Sequence, residues 1–298
     1  VEGIAINKGD INWTVNANIG FNRNKLKKLN SNLDFQLGPS IGFSQAYPIL
    51  FMVDQPLGIY WGAETDGVYS SWEEANASGI AGAAPGEIRY INHHVDLDDS
   101  GQPLEIQEIN FDDYVKIGDP NPDFTYSISN NFSYKNWDAN ILFTGQKGGD
   151  LFWVDSWQLS GLQKTTNILS SSYANSWIAP LYYENGNYIY DESIGNLNSA
   201  NHPGAMIETG SRAISSDRNI FDGSFIRLKN INIGYNFDLK DGKNMRVYLA
   251  GQNLVVWTDY PGYDPEVRTY TKNPQKRGVD FGTYPGTRSL LLGLKFNY

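Results

Sequence analysis

The chain has 298 residues, of which 40% are hydrophobic, 14% aromatic and only 19% charged. Its net charge of −10 argues against a nucleic-acid-binding protein, because the neutralisation of phosphates requires clustered Lys and Arg. The absence of cysteine excludes a disulfide framework, a thiolate metal site and a cysteine nucleophile. The chain has no run of about 18 apolar residues, so the sequence predicts no membrane-spanning helix.

The dominant pattern along the chain is an alternation of apolar and neutral polar residues. From Ile11 to Phe21 the odd positions are apolar, and every even position is Asn, Thr or Gly. Because successive side chains of a β-strand point to opposite faces, this pattern predicts a strand with one apolar and one polar face. The pattern predicts seven strands, at Val1–Ile6, Ile11–Phe21, Phe124–Tyr134, Trp137–Phe143, Phe225–Phe237, Met245–Asn253 and Thr287–Tyr298.

The connections between these strands alternate between short and long. Short turns lie at Asn7–Asp10, Lys135–Asn136 and Asp238–Lys243, and long links at Arg23–Asp123, Lys147–Ser224 and Leu254–Gly286. Outer-membrane barrels have this asymmetry, with short periplasmic turns and long extracellular loops. The sequence therefore predicts an all-β chain forming part of a transmembrane antiparallel β-barrel in the bacterial outer membrane. Its loops are expected to be extracellular and its C-terminus periplasmic.

The alternative is a soluble carbohydrate-binding β module built from long strands. The solvent face of such a module normally carries Lys and Glu, whereas the polar face predicted here carries Asn, Ser, Thr, Gly and Gln. This composition favours the barrel. Within the first long link, two apolar segments, Tyr47–Val53 and Leu57–Trp61, flank Gln55-Pro56. They predict a hairpin, which would add a pair of strands to the barrel.

The last predicted strand has the composition of a barrel-assembly signal. Leu290, Leu292 and Leu294 alternate with other residues up to an aromatic at the final position. This ending resembles the β-signal that the outer-membrane assembly machinery reads. The residues assigned to the signal are Gly293, Leu294, Phe296 and Tyr298.

Four segments carry a family resemblance. They are IGDPNPDF at 117–124, DGSFIRLKNI at 222–231 with the following Gly234-Tyr235, GQNL at 251–254 with GYDPE at 262–266, and the terminal strand. Together they make the chain resemble the C-terminal part of a TonB-dependent outer-membrane receptor of the SusC/RagA type from Bacteroidota. The resemblance implies that residues 1–298 are the C-terminal portion of one barrel domain. The whole barrel would have about 22 strands around a plug, and the plug and the N-terminal strands would lie outside this chain.

The resemblance also implies a function and its partners. The receptor would import oligosaccharides or peptides through the plugged barrel, and a SusD-like surface lipoprotein would act as its lid. TonB-ExbB-ExbD would act through the N-terminal part, and the chain would contact the rest of the receptor and outer-membrane lipid, with no nucleic acid. A receptor-like barrel that serves assembly or adhesion is a further alternative. We find no catalytic motif, because paired carboxylates such as Asp112-Asp113 are common in acidic loops, and we expect no enzyme.

Aromatic residues in the second long link are the candidate substrate contacts. Trp and Tyr present flat apolar faces with a polar tip, which suits stacking on sugars or gripping peptides. The candidates are Trp153, Trp157, Trp177, Tyr182 and Tyr183. The alternative is that these rings pack the long links or form the aromatic girdles of a barrel.

A weak calcium-loop candidate lies in the first long link. Asp96, Asp98 and Ser100 have the spacing of a calcium loop, but Gln107 stands where a bidentate Glu would close the site. An acidic solvated loop is therefore the favoured interpretation, and no cofactor is expected. His93 and the neighbouring His94 are adjacent in sequence, a spacing that does not suit zinc.

Overall fold

The computed structural model describes residues 1–41, 47–159, 167–191, 195, 214–267, 269–270 and 272–297. Its largest element is a sheet of seven strands, β1 Glu2–Lys8, β2 Ile11–Gly20, β9 Pro122–Tyr134, β10 Trp137–Gly148, β15 Phe225–Asp238, β16 Asn244–Trp257 and β18 Ser289–Asn297. The first long link contributes β3 Phe35–Leu37, β4 Ile49–Met52, β5 Ile59–Gly62, β6 Thr65–Val68, β7 Ile88–Tyr90, β8 Val115–Gly118 and helix α1 Trp72–Ser78. The later links contribute β11 Asp150–Trp153, β12 Leu181–Glu184, β13 Asn187–Tyr190, β14 Ile220–Asp222, β17 Val279–Asp280, α2 Ser156–Leu159 and α3 Ser170–Ala174.

The seven-stranded sheet is an antiparallel meander. Its spatial order, β1-β2-β9-β10-β15-β16-β18, is also the order of these strands along the chain. All seven predicted strands are confirmed as members of one sheet. Two of these strands extend further toward the long links than predicted: β10 continues to Gly148, and β16 continues to Trp257.

The register of the sheet separates an apolar face from a polar face. Leu249 lies opposite Leu292, and Val247 lies opposite Leu294, so apolar residues of neighbouring strands share one face. Leu290 and Leu292 are each 73% exposed, although the other face of the same strands is polar. A soluble sheet would bury such a leucine face, whereas lipid solvates it.

On part of the polar face, neutral side chains form hydrogen bonds across the strands. The Asn140 Nδ2 atom on β10 donates to Ser129 Oγ at 3.1 Å and to Asn131 Oδ1 at 2.7 Å on β9. On the same face, Asn18 of β2 donates to Ser127 Oγ of β9 at 2.7 Å. These amide and hydroxyl bonds satisfy polar groups without charged side chains.

Almost all buried apolar side chains of the described residues lie outside this sheet. Phe225 is the one that belongs to a strand of the large sheet, and the others, such as Leu50, Phe152 and Val279, belong to the long links. A single-layer sheet with lipid on one face and a polar surface on the other has no interior of its own. The packed core of the chain is therefore formed by the links.

The predicted hairpin in the first link forms, but its predicted place in the barrel was wrong. Ile49 pairs with Tyr60 and Leu50 with Ile59, as the Gln55-Pro56 turn predicted. These strands belong to a separate four-stranded sheet, β3-β4-β5-β8. Each has 4 residues and so spans about 13 Å, which is too short for a hydrocarbon layer of about 30 Å.

The described helices are short, with 7, 4 and 5 residues for α1, α2 and α3. None of the helices in the described part of the chain is long and apolar enough to cross a membrane.

On the polar face, an ion pair joins β10 and β16 across the intervening strand β15, and a glycine of β15 leaves the space for it, which we call the glycine slot. Gly234 of β15 lies between Asp138 of β10 and Tyr248 of β16. The Arg246 side chain of β16 passes over this glycine, and its Nε donates to Asp138 Oδ2 at 2.9 Å. A Cβ atom on Gly234 would lie 2.4 Å from Arg246 Nε, so a larger residue there blocks the path. Gly234 therefore leaves room for a contact between two strands that are not neighbours.

We predict that Gly234→Val lowers the stability of the barrel by about 1 to 3 kcal/mol, the worth of hydrogen bonds to a charged group. The readout is the urea midpoint of the complete barrel in detergent, followed by heat-modifiable migration in SDS gels. Gly3→Val in β1 is the matched control, because nothing lies within 4 Å of a Cβ at that position. Equal midpoints for the two variants would contradict the role of the slot.

Candidate functional site

The described residues of the three long links, within 21–121, 149–224 and 258–288, pack against one another as a unit that we call the long-loop cluster. Tyr60 of the first link contacts the Phe152 ring of the second, with ring centroids 5.7 Å apart. Its hydroxyl donates to the Arg277 carbonyl of the third link at 2.9 Å. One buried tyrosine thus contacts all three links, and burial raises its pKa. It is a donor fixed in the core of the cluster.

Backbone pairing joins the second and third links. Strands β11 and β17 run parallel, with Phe152 opposite Val279. The Phe152 amide donates to the Gly278 carbonyl at 2.9 Å, and the Val154 amide donates to the Asp280 carbonyl at 2.8 Å. These bonds satisfy buried backbone groups of segments that are far apart in sequence.

A buried ion-pair cluster, which we call the Arg227 clamp, fixes the third link to the large sheet. The Arg227 side chain of β15 is 4% exposed and lies 2.5 Å from Asp264 Oδ1. Its Nε lies 2.8 Å from Glu266 Oε2, an ion-pair contact without hydrogen-bond geometry. Lys229, on the same strand, lies 3.3 Å from the same Glu266 oxygen. Two sequence motifs, FIRLK and YDPE, therefore meet as complementary charges.

Asp264 also bonds to the backbone of its own link. Its Oδ1 accepts from the Glu266 amide at 2.9 Å, and its Oδ2 accepts from the Gly286 amide at 3.3 Å. Both ends of the third link are therefore tied to one carboxylate. A buried charge is stable only where such partners satisfy it.

Two other carboxylates of the cluster, the buried Asp280 and the half-buried Asp155, also accept hydrogen bonds from the backbone. Asp280 accepts from the Tyr260 hydroxyl at 2.5 Å and from the Thr283 amide at 2.9 Å, and burial raises the pKa of Tyr260. Asp155 accepts from the Gly282 amide at 2.8 Å, and burial raises the pKa of its carboxyl. These groups serve as structural acceptors for the third link.

The calcium-loop candidates are engaged in hydrogen bonds within the protein. Asp98 Oδ1 accepts from the Ser100 amide at 2.8 Å, and hydrogen bonds from Gln102 and Ser100 lower the pKa of the Asp98 carboxyl. Asp96 Oδ2 accepts from the Glu108 amide at 3.0 Å. Gln107 closes the loop by accepting from the Asp96 amide at 2.6 Å, in the position where a calcium loop has Glu. Among the described residues no three His, Cys, Asp or Glu side chains converge to hold a metal.

The candidate aromatic residues of the second link pack within the cluster. Trp153 is 6% exposed and lies 5.7 Å from the Phe221 ring. Trp157 is half-buried against Phe152, with ring centroids 5.5 Å apart. Trp177 covers Gly86, where a Cβ would lie 2.4 Å from the indole. These contacts show the packing role that the sequence left open, and contact of these rings with substrate stays a prediction.

Two further candidates, Tyr182 and Tyr183, lie in the β12–β13 hairpin opposite Ile189 and Tyr188. Their side chains lie outside the described part of the structure.

The candidate assembly signal lies on the last strand of the sheet. Leu294 and Phe296 are 63% and 59% exposed on the apolar face. Gly293 lies opposite Tyr248, and a Cβ on this glycine would lie 2.3 Å from the tyrosine ring. The glycine therefore makes room for a ring from the neighbouring strand. Tyr298 lies outside the described residues.

A cavity of about 730 Å³ lies between the first and third links. Sequence analysis did not single it out, because its walls come from links about 250 positions apart. The described residues that line it include Asn22, Gln36, Phe51, Tyr270, Gln275, Lys276 and Arg277. None of the described residues that line it is acidic, although the chain has 33 Asp and Glu.

We predict that Arg227→Met destabilises the third link by about 3 to 5 kcal/mol, because it leaves the Asp264 carboxylate buried without its partner. The expected result is faster tryptic cleavage at Lys272 and Lys276 in the folded barrel. Adding Asp264→Asn should restore most of the protection, since Asn keeps an acceptor for the Glu266 amide without the charge.

The control is Lys147→Met, which breaks an exposed ion pair with Asp222 at 3.5 Å. It should change stability by less than about 1 kcal/mol. If the double variant were as sensitive to trypsin as Arg227→Met, an unpaired buried charge would not be the cause.

Comparison with known proteins places the chain among outer-membrane receptors. No protein-family model matches it. It is 32% identical to TonB-dependent receptor P3 of Formosa agariphila over 98% of the chain, and 26% identical to TonB-dependent receptor P26 of the same organism over 97%. It is 30% identical to TonB-dependent receptor SusC of Bacteroides thetaiotaomicron over 38% of the chain and 12% of SusC. The chain spans 27% of the length of each Formosa receptor.

The fold is similar to that of solved transporter structures. The structure of the RagAB peptide transporter matches 99% of this chain and 28% of that chain, with a TM-score of 0.70 and 18% identity. The RagAB peptide importer in its closed-closed state matches with a TM-score of 0.66 and 17% identity. The meander, its apolar outer face and these similarities lead to one assignment. The chain belongs to the TonB-dependent receptors of the SusC/RagA type, which are outer-membrane β-barrel proteins.

Proposed function

We propose that the receptor containing this chain imports oligosaccharides or peptides across the outer membrane, driven by TonB. The observation that carries the proposal is the sheet itself, with lipid-compatible leucines on one face and amides and hydroxyls on the other. Such a sheet suits the wall of a polar path through a membrane. The similarity to TonB-dependent receptors over 98% of the chain supports this choice.

In this proposal the long-loop cluster is extracellular, and the short turns and the C-terminus are periplasmic. The support is the asymmetry of the connections, because two to five residues join the strands at one end and folded links join them at the other. Residues 1–298 would form one portion of a single barrel domain. TonB-ExbB-ExbD would engage a part of the receptor outside this chain.

A SusD-like surface lipoprotein would act as the lid on the long-loop cluster. Large aromatic side chains are exposed there, at Trp72 (63%), Tyr173 (70%), Tyr263 (78%) and Tyr284 (82%). Exposed aromatics are typical of the central contacts of protein interfaces. These rings therefore fit lid contact better than the buried Trp153 does.

Labelling tests the orientation. The chain has no cysteine, so Asp99→Cys in the first link and Lys240→Cys in a short turn each introduce one thiol into it. We expect a membrane-impermeant maleimide to label the Asp99→Cys variant in intact cells. The Lys240→Cys variant should react only after the outer membrane is permeabilised. The reverse pattern would contradict the orientation.

Growth of a strain that lacks the receptor gene tests whether the receptor imports a nutrient. Deleting the gene should abolish growth on one oligosaccharide or on peptides as the sole nutrient while growth on glucose is unchanged. Complementation with the intact gene is the control. Normal growth on every nutrient tested, together with a defect in surface attachment, would instead support a barrel that serves adhesion or assembly.

A further inference from the structure

The cavity between the first and third links holds two adjacent cations. Lys276 and Arg277 both line it, and neither has an ion-pair partner in the described part of the chain. Several other cations of the links are paired, as Lys25 is with Asp54 at 2.9 Å and Lys116 with Asp119 at 3.1 Å. In a chain of net charge −10, a cavity with two cations and no carboxylate among its described lining residues favours an anionic occupant.

Lys276 is restrained by an aromatic contact, and Arg277 lines a second cavity as well. The Lys276 ammonium lies 4.4 Å from the centroid of the Tyr270 ring, a cation–π contact that restrains its long side chain. Arg277 also lines a second cavity, of about 260 Å³, together with Gly20 and Thr125. Gly20 and Thr125 are paired on the polar face of the sheet. Arg277 thus lies between the cavity and the polar face.

Neutral amides supply the rest of the polar lining. The wall is held by the Asn24 amide, which accepts from the Leu57 amide nitrogen at 2.7 Å and donates to Asn121 at 2.9 Å. Three other amide side chains, those of Asn22, Gln36 and Gln275, make no hydrogen bond to described residues. An amide can donate and accept at once, which matches the hydroxyl groups of a sugar.

From these features we propose that the cavity is a binding subsite for an anionic oligosaccharide, with Lys276 and Arg277 binding its carboxylate or sulfate groups. This inference rests on the proposed import function and names the class of its substrate. Charge-assisted hydrogen bonds from the two cations select the anion, and the free amides bind the ring hydroxyls. The volume of about 730 Å³ accommodates a few sugar units.

The test is isothermal titration of the complete receptor in detergent with four probes: trigalacturonate, a sulfated carrageenan tetrasaccharide, neutral maltotetraose and tetraglutamate. We expect one of the two anionic sugars to bind at least roughly tenfold more tightly than maltotetraose and tetraglutamate. Whether trigalacturonate or the carrageenan tetrasaccharide binds distinguishes carboxylate from sulfate. Lys276→Gln and Arg277→Gln should each weaken that binding by roughly tenfold and reduce its salt dependence.

The matched control is Lys272→Gln, which removes one charge from an exposed position on the same link that does not line the cavity. It should bind like the unmodified receptor. The proposal is overturned if neither anionic sugar binds, if tetraglutamate binds best, or if all three variants bind alike. Because the growth phenotype of the deletion does not depend on these variants, the import function can stand when the subsite fails.

Discussion

The structure depends on one constraint, which is that a single-layer sheet must satisfy every backbone hydrogen bond in the plane of the sheet. In hydrocarbon there is no water to replace a missing partner, so each strand needs a neighbour on both sides. The antiparallel meander meets this need for the inner strands. The edge strands β1 and β18 each present one side of their backbone, and in lipid those sides require partner strands.

As a consequence of the same constraint, the packed core of the chain lies in the links. Because lipid covers one face of the sheet and polar side chains cover the other, the sheet cannot enclose apolar residues. Ile49, Phe152 and Val279, one from each link, pack in one buried cluster instead. The links are therefore folded structure, and several of their tryptophans are needed for that packing.

The Arg227 clamp connects the sheet to the proposed binding surface. It fixes the start of the third link on β15, and pairing of Val279 with Phe152 fixes a later point. The segment between these two anchors carries Lys276 and Arg277. These anchors add to contacts within the segment, where the Lys276 amide donates to the Asn273 carbonyl at 3.0 Å and the Arg277 carbonyl accepts from the Tyr60 hydroxyl. Together they support the position of the two cations.

The sequence by itself determined the strands, their two faces and the family, because a period of two is local and each strand pairs with the next along the chain. It could predict the Ile49–Tyr60 hairpin but not the sheet that contains it, since periodicity does not identify a partner. Only the tertiary structure decided the clamp, the packing of Trp153 and the cavity. Those depend on contacts such as Tyr60 with Arg277, 217 residues apart, which local pattern does not encode.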